Sequence, residues 1–450
     1  MIAPTLAVAV LASLGAVTLR PGRALGVVLM SLLLWPEYLR LPMGLAQMSA
    51  PRIAAMVLMA RLIVAGRLHQ TRPRLIDGLV VFAWAWDIAA AAIAGADQTQ
   101  LVYLVGRGFD TVLMYGVARL ALISAADFRG LILPLTLSAV ALGGLGVMEA
   151  VTSSSPYQRL FAHHQWNWYD KAPEYRLGLL RARGSTAHPI YFGMTMCIVA
   201  GLLIALRGVA RSAWTWSPGA AFALAGAAAS LSSGPAIAVS LLLLCSALLY
   251  ARWLIRPALL GAAALAVFLE LASNRHFYDL IDYLALNSGT SWYRSRLIEV
   301  AVSNLHEYWM FGYGSRWPHH WGMLIDRRGH VDIVNHYVIV AITGGVLSLM
   351  AYVAVLALAL RDCVRHFRTA PEQARTLLFG QGALLVALAA ASMSVGLYGP
   401  PLILTYILLG SMVRAGHAAH QTGMNTSPAP ARPCPFPMPG QSRIGAVRGA

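Results

Sequence analysis

Asp332-Ile333-Val334-Asn335-His336-Tyr337-Val338-Ile339-Val340-Ala341-Ile342-Thr343-Gly344-Gly345 is where a long polar stretch turns into an apolar one. The apolar run that begins here continues to about residue 360, long enough to cross roughly 30 Å of hydrocarbon. A segment of that kind is a helix, because backbone polar groups in lipid need partners within the segment. Upstream lies a stretch rich in arginine, histidine and aromatics. A titratable imidazole at the boundary between apolar and polar chain, facing arginines, points to acid/base chemistry on an anionic, membrane-tethered substrate.

The rest of the chain repeats the pattern. Of 450 residues, 58% are hydrophobic and 12% charged, and the mean hydropathy is +0.63. A soluble domain carries about 25% charge, so this composition is that of a polytopic membrane protein. About thirteen candidate spans follow from the apolar runs: 2–18, 24–40, 51–66, 76–95, 101–123, 130–152, 188–206, 215–232, 235–252, 256–272, 332–360, 375–397 and 400–414. The third and thirteenth are short, so twelve helices would also fit. The first span has no obvious signal cleavage site after it and is expected to be retained.

Net charge is +16, from 34 Lys and Arg against 18 Asp and Glu, and Lys171 is the only lysine. The surplus is largely topological rather than a sign of nucleic acid. Arg20, Arg23, Arg67, Arg72, Arg74, Arg207, Arg211, Arg252, Arg256, Arg361, Arg365, Arg368 and Arg375 all fall on one side of the alternation, which the positive-inside rule makes cytoplasmic. The fold expected is therefore all-α: a membrane bundle of about twelve or thirteen helices with two long outer loops. The units are 1–152 (helices), 153–187 (outer loop), 188–272 (helices), 273–331 (large outer loop), 332–416 (helices) and 417–450, a proline-rich tail expected to be disordered.

Both outer loops are basic against the topological bias, with Arg159, Lys171, Arg176, Arg181 and Arg183 in the first and Arg275, Arg294, Arg296, Arg316, Arg327 and Arg328 in the second. Long loops translocate largely regardless of charge, but an anionic ligand would also favour the pattern. Two motifs support the ligand. Arg181-Ala182-Arg183-Gly184-Ser185-Thr186-Ala187-His188-Pro189 enters a helix whose first turn suits proline and whose free N–H groups favour an anion. Its arginines offer forked donors for phosphate. Trp292-Tyr293-Arg294-Ser295-Arg296 repeats that chemistry beside aromatics that either stack on sugar rings or mark the membrane interface. In the third motif, Asn335 or Asp332 would orient the His336 ring.

Cys197, Cys245, Cys363 and Cys434 have no metal or disulfide spacing. Histidines cluster at His163-His164, His188, His306, His319-His320 and His330 without a regular ligand pattern, so neither a metal nor another cofactor is expected. Within spans, Asp87, Arg107, Asp110 and Arg119 are the charged residues to explain. Arg107 and Asp110 lie one turn apart and are expected to pair; Arg119 is expected to snorkel.

These motifs, in this order and spacing, resemble the O-antigen ligase / O-antigen polymerase family of bacterial inner-membrane glycosyltransferases. The resemblance rests on 181–193, on Ser232-Ser233-Gly234-Pro235, on Tyr293-Arg294 through Phe311-Gly312-Tyr313-Gly314, and on Asn335-His336-Tyr337 with Gly344-Gly345. It covers about 180–350; elsewhere only hydropathy agrees. It implies a multi-pass inner-membrane protein with its active site on the periplasmic face. Glycan would move, without metal or nucleotide sugar, from an undecaprenyl-diphosphate-linked oligosaccharide to a hydroxyl of a glycan or lipid A core acceptor, inverting the anomeric centre. Membrane lipids and other polysaccharide-assembly proteins would be its surroundings. Arg183 and Arg294 would hold the diphosphate, with Arg181 and Arg296 beside them, and His336 would be the general base or acceptor-orienting group. His188, Asn335 and Tyr293 complete the expected substrate contacts. The chain reads Asn-His where many ligases read His followed by Asn or Ser, which favours polymerase over ligase. An arginine-lined transporter or flippase is the rival reading, but the halves show no internal symmetry of the kind transporters carry. A scaffold subunit would not need arginines and histidine on one face.

Overall fold

The computed structural model describes residues 2–161, 173–254 and 288–424 apart from Leu45, Ser315, Arg327 and Arg328, together with scattered positions between 256 and 267. In order, the helices are α1 (Ile2–Thr18), α2 (Pro21–Leu34), α3 (Ala50–Val64), α4 (Leu75–Ile93), α5 (Gln98–Gly108), α6 (Met114–Ala121), α7 (Ala125–Gly130), α8 (Ile132–Thr152), α9 (Pro156–Leu160), α10 (Pro189–Leu206), α11 (Ser217–Ala229), α12 (Ser233–Ala247), α13 (Ser288–Ser303), α14 (Leu305–Tyr308), α15 (Trp321–Ile325), α16 (His336–Thr369), α17 (Glu372–Ala391) and α18 (Pro400–Met424). Among the described residues, six segments are long and apolar enough to cross a membrane: 75–93, 98–121, 125–152, 189–206, 336–369 and 374–391. Five shorter apolar helices accompany them. This is the architecture of a multi-pass membrane protein. The expected span 256–272 lies largely outside the described residues, as do His163-His164, Lys171, Arg275 and the tail from 425. The last helix continues beyond the expected boundary at 416.

Two small features depart from an all-helical reading. Arg40–Met43 (β1) pairs antiparallel with Ala46–Ser49 (β2), and Tyr175–Arg176 (β3) with Leu179–Leu180 (β4). Both hairpins lie in connections, where backbone groups outside the helices need partners of their own.

Packing follows the logic of a bilayer rather than of water. Helix α1 buries Thr5, Ala9, Ala12 and Ala16 and exposes Ile2, Leu6, Val10, Leu11, Leu14 and Val17. Small residues let helix backbones approach, while large apolar side chains face lipid at no cost. The same holds where a Cβ on Gly143 of α8 would come within 2.2 Å of the Phe222 carbonyl of α11.

Charges inside the bundle pair across helices, not along them. The expected Arg107–Asp110 pair does not form. Asp110 lies in a π turn, Phe109–Leu113, into which the helix widens after Arg107. Arg107 instead faces Asp87 of α4 at 3.9 Å. Asp110 takes a two-pronged bond from Arg52 of α3, at 2.8 and 2.6 Å. Arg119 does not snorkel: it is buried and bonds Asp77 of α4 at 3.0 Å, and Tyr115 donates to the same carboxylate. Each arrangement removes a charge from lipid by giving it a partner.

Helix α16 breaks at Gly344-Gly345, and the break is filled by the loop after α14. Tyr313 N donates to Ile342 O, Val346 N to Trp309 O at 2.8 Å, and Trp86 Nε1 to Gly344 O at 2.7 Å. Gly345 has φ +75°, and a Cβ there would lie 2.4 Å from Met310 O. Only glycine meets both demands. The loop is thereby bolted to the helix that carries His336.

Candidate functional site

The segment between β4 and α10 is a largely buried strap, turned at Gly184-Ser185 and held at almost every residue. Ala182 N donates to Ala229 O at 3.0 Å, Gly184 N to Glu149 Oε2 at 3.0 Å, and Ala187 N to Glu37 Oε1 at 2.7 Å. Ser185 Oγ donates to Leu33 O, and the Thr186 hydroxyl to Arg183 O at 2.8 Å. His188 ends the strap as the N-cap of α10, its Nδ1 accepting from Ile190 N at 3.2 Å, with Pro189 in the first turn. His188 Nε2 lies 3.9 Å from Glu174.

On this strap the arginines converge. Arg181 donates to Ser232 Oγ at 2.7 Å and to Ser230 O at 3.4 Å, and also pairs with Glu174. Arg176 donates to Leu231 O at 2.8 Å. Arg294, from α13, donates to Ser233 Oγ at 3.2 Å. Arg183 Nη2 lies 3.8 Å from Glu174. Three guanidinium groups from three elements thus hold one short turn, 230–233, where α12 begins. The Ser-rich turn and both arginine motifs, distant in sequence, meet here.

The cluster sets Arg176, Arg181, Arg183 and Arg294 against Glu174, with Glu149 beside Arg183 and Asp332 toward Arg294, in a poorly solvated place. Arg181, Arg183 and Arg294 are 8%, 5% and 6% exposed. Burial pushes the Arg181 guanidinium below its ordinary pKa; Arg176 and Arg183 add to the effect against the pull of Glu174. Burial does the same to Arg294, again with Arg176 adding and Asp332 opposing. Buried like charges of this sort are unfavourable until an anion joins them. Helices α10, α12, α16 and α18 all begin at this end, and helix N-termini favour the same sign of ligand.

Asn335 is the N-cap of α16. Its Oδ1 accepts from Val338 N at 3.1 Å and its Nδ2 donates to Met393 O at 2.9 Å. His336 N donates to Ser392 O at 2.8 Å, and its ring Nδ1 accepts from Leu397 N at 3.2 Å. Both residues are therefore tied to the loop between α17 and α18. That loop also touches the arginine-held turn, since a Cβ on Gly234 would meet Val395 Cγ2 at 2.3 Å. The His336 ring itself is 1% exposed and turns inward. It stands edge-on to Tyr352 and lines a cavity of about 30 Å³ with Asp87, Arg107, Ser348 and Tyr406. That space suits a water, not a sugar. With Nδ1 accepting from a backbone amide, the neutral ring carries its proton on Nε2 and presents a donor to the cavity. This geometry suits holding and orienting better than taking a proton.

Glu37 is a carboxylate that the sequence reading passed over, because the second span was drawn through it. Helix α2 ends at Leu34, and Glu37 stands in the connection to β1. Its N donates to Ser185 O at 3.3 Å while its Oε1 holds Ala187 N, so it is fixed to the arginine strap. Its other oxygen lies against Gly399, where a Cβ would sit 2.0 Å away and φ is +55°. Among the described residues no arginine forms a salt bridge with it. Burial raises its pKa to about 7, opposed by the Ala187 amide and Arg40, which is where a general base works best.

Other expected contacts fall elsewhere. Arg296 turns away from the cluster, pairing with Glu299 at 2.7 Å on a half-exposed face; two residues along a helix cannot share a face. Tyr293 braces the chain, its hydroxyl accepting from Asp332 N at 2.9 Å. Tyr308, Tyr313 and Trp321 pack on one another, and His320 lies 3.1 Å from Glu307. Among the described residues no group of three His, Cys, Asp or Glu side chains is placed to hold a metal. Besides Glu37, Arg176 and Glu174 were not among the expected site residues; a charged residue inside an apparent span is the one signal the sequence holds for Glu37. No protein-family model matches the chain, and no curated protein matches it.

Proposed function

We propose that this protein transfers glycan from an undecaprenyl-diphosphate-linked donor to an acceptor hydroxyl at the periplasmic face of the inner membrane, polymerising exopolysaccharide or O-antigen repeat units. The observation that carries this reading is the buried surplus of guanidinium groups around residues 230–233. A diphosphate is the ligand whose charge and forked geometry answer such a site. The acceptor oxygen attacks the anomeric carbon from the face opposite the diphosphate. The sugar C1–O bond breaks, the configuration inverts, and the electron pair leaves on the diphosphate. Arg181, Arg183 and Arg294 stabilise the charge that develops there. Glu37, fixed to the same strap, takes the acceptor proton. His336 and Asn335 hold the 392–399 loop in register with the turn the arginines grip.

Gene deletion followed by gel analysis of surface and lipid-linked glycan tests this. Single repeat units with no long chains are the expected result. Full-length chains stranded on the lipid carrier would instead assign transfer to lipid A core, the ligase variant of the same chemistry. Unchanged glycans would refute both.

A further inference from the structure

A second basic site lies at the opposite end of the bundle. The start of α4 and the last turns of α16 frame an open cavity of about 490 Å³. Leu358, Arg361, Asp362 and Arg365 line it at helical spacing on one face of α16, with His366 beside them and Arg74 across from them. Asp362 is the one carboxylate in this lining, and both its oxygens are taken: Oδ2 by Arg74 at 3.2 Å and Oδ1 by Arg361 at 3.3 Å. Arg365 makes no ion pair among the described residues, and its side chain is exposed. The His366 ring donates from Nδ1 to Asp362 O at 2.7 Å. The cavity thus offers three guanidinium groups against one neutralised carboxylate.

We propose that this cavity binds the phosphate headgroup of an anionic glycerophospholipid. Its volume falls in the range of small-ligand sites, roughly 300–1,000 Å³. Its placement selects a lipid over a free phosphate. The cavity sits where α4 enters its apolar stretch, and Leu75 is 68% exposed at that point, so a phosphate held by the arginines leaves its acyl chains along an apolar flank. Arginines at such a surface each contribute about fivefold to the affinity for an anionic lipid. Nothing in this inference depends on the chemistry at the other end.

The test uses the full-length protein in neutral detergent, with retained lipid counted by native mass spectrometry against phosphatidylglycerol or phosphatidylcholine. Phosphatidylglycerol should be retained in preference to phosphatidylcholine. The Arg361→Ala/Arg365→Ala double variant should lose that preference by about twenty-five-fold, as two arginines at fivefold each. Arg207→Ala/Arg211→Ala, which removes the same charge from the same end outside the cavity, should keep it. Equal retention of the two lipids overturns the proposal. So does an equal loss in both double variants, which would mean general surface attraction, or displacement of the lipid by inorganic phosphate, which would mean a soluble ligand. Both double variants carry substitutions of exposed or half-exposed side chains, and an unchanged melting profile confirms that their fold is intact.

Discussion

Glu37→Gln separates function from stability at a single atom. The carboxylate is held at about 7 instead of the ordinary 4.5 because burial penalises its charge more than the Ala187 amide and Arg40 repay. That gap corresponds to at most about 3 kcal/mol. A carboxylate whose folded pKa is raised stabilises the fold fully below about 4.5; that contribution is lost as the pH rises through about 7. Glutamine is neutral at every pH and keeps the oxygen that accepts from Ala187 N. The variant should therefore melt with the parent near pH 4 and above it at pH 8, read by tryptophan fluorescence of detergent-purified protein. Transfer from a lipid-diphosphate donor should run the other way. The ionised fraction of a group titrating near 7 changes about tenfold between pH 6 and pH 8, so the parent's rate should rise about tenfold over that interval. Glu37→Gln should have no activity at either pH. A variant that keeps the parent's rate and pH profile refutes the role of Glu37 as proton acceptor. A variant less stable than the parent at pH 8 refutes the electrostatic account of its burial.

Three further outcomes follow from the geometry. Arg294→Ala and Arg183→Ala should each abolish surface polysaccharide at unchanged protein level, and Arg294→Lys should also fail because a lone ammonium cannot replace the fork; full activity in all three would sink the assignment of the cluster. Asp110→Asn strands the Arg52 guanidinium in the bundle and should cost about 3–5 kcal/mol, while Arg52→Met added to it should recover most of that loss in the same melting assay. Gly345→Ala should cost upwards of about 2 kcal/mol, since it forces a Cβ against the Met310 carbonyl at a backbone angle alanine resists; wild-type melting would show that the break in α16 is not what bolts the outer loop.

Long apolar runs and sparse charge made a helical, multi-pass membrane protein legible in the string of residues. Apolar runs must be helical in lipid, so the presence of several long apolar helices was legible without tertiary contacts. The N-terminus of α16 at Asn335-His336 was legible for the same reason, as was Pro189 in the first turn of α10. Which side chains meet could not be read from the string. Arg107 and Asp110 look like partners at helical spacing, but Asp110 lies in a π turn and their true partners come from α4 and α3. Arg294 and Arg296 look equivalent in the string, yet only one face of α13 meets the turn at 230–233. Glu37 lay hidden inside an apolar run drawn a few residues too long. Its importance comes from a strap some 150 residues away. Local pattern reports where a chain must bury itself; which buried charge answers which other is set by long-range packing, and no periodicity encodes it.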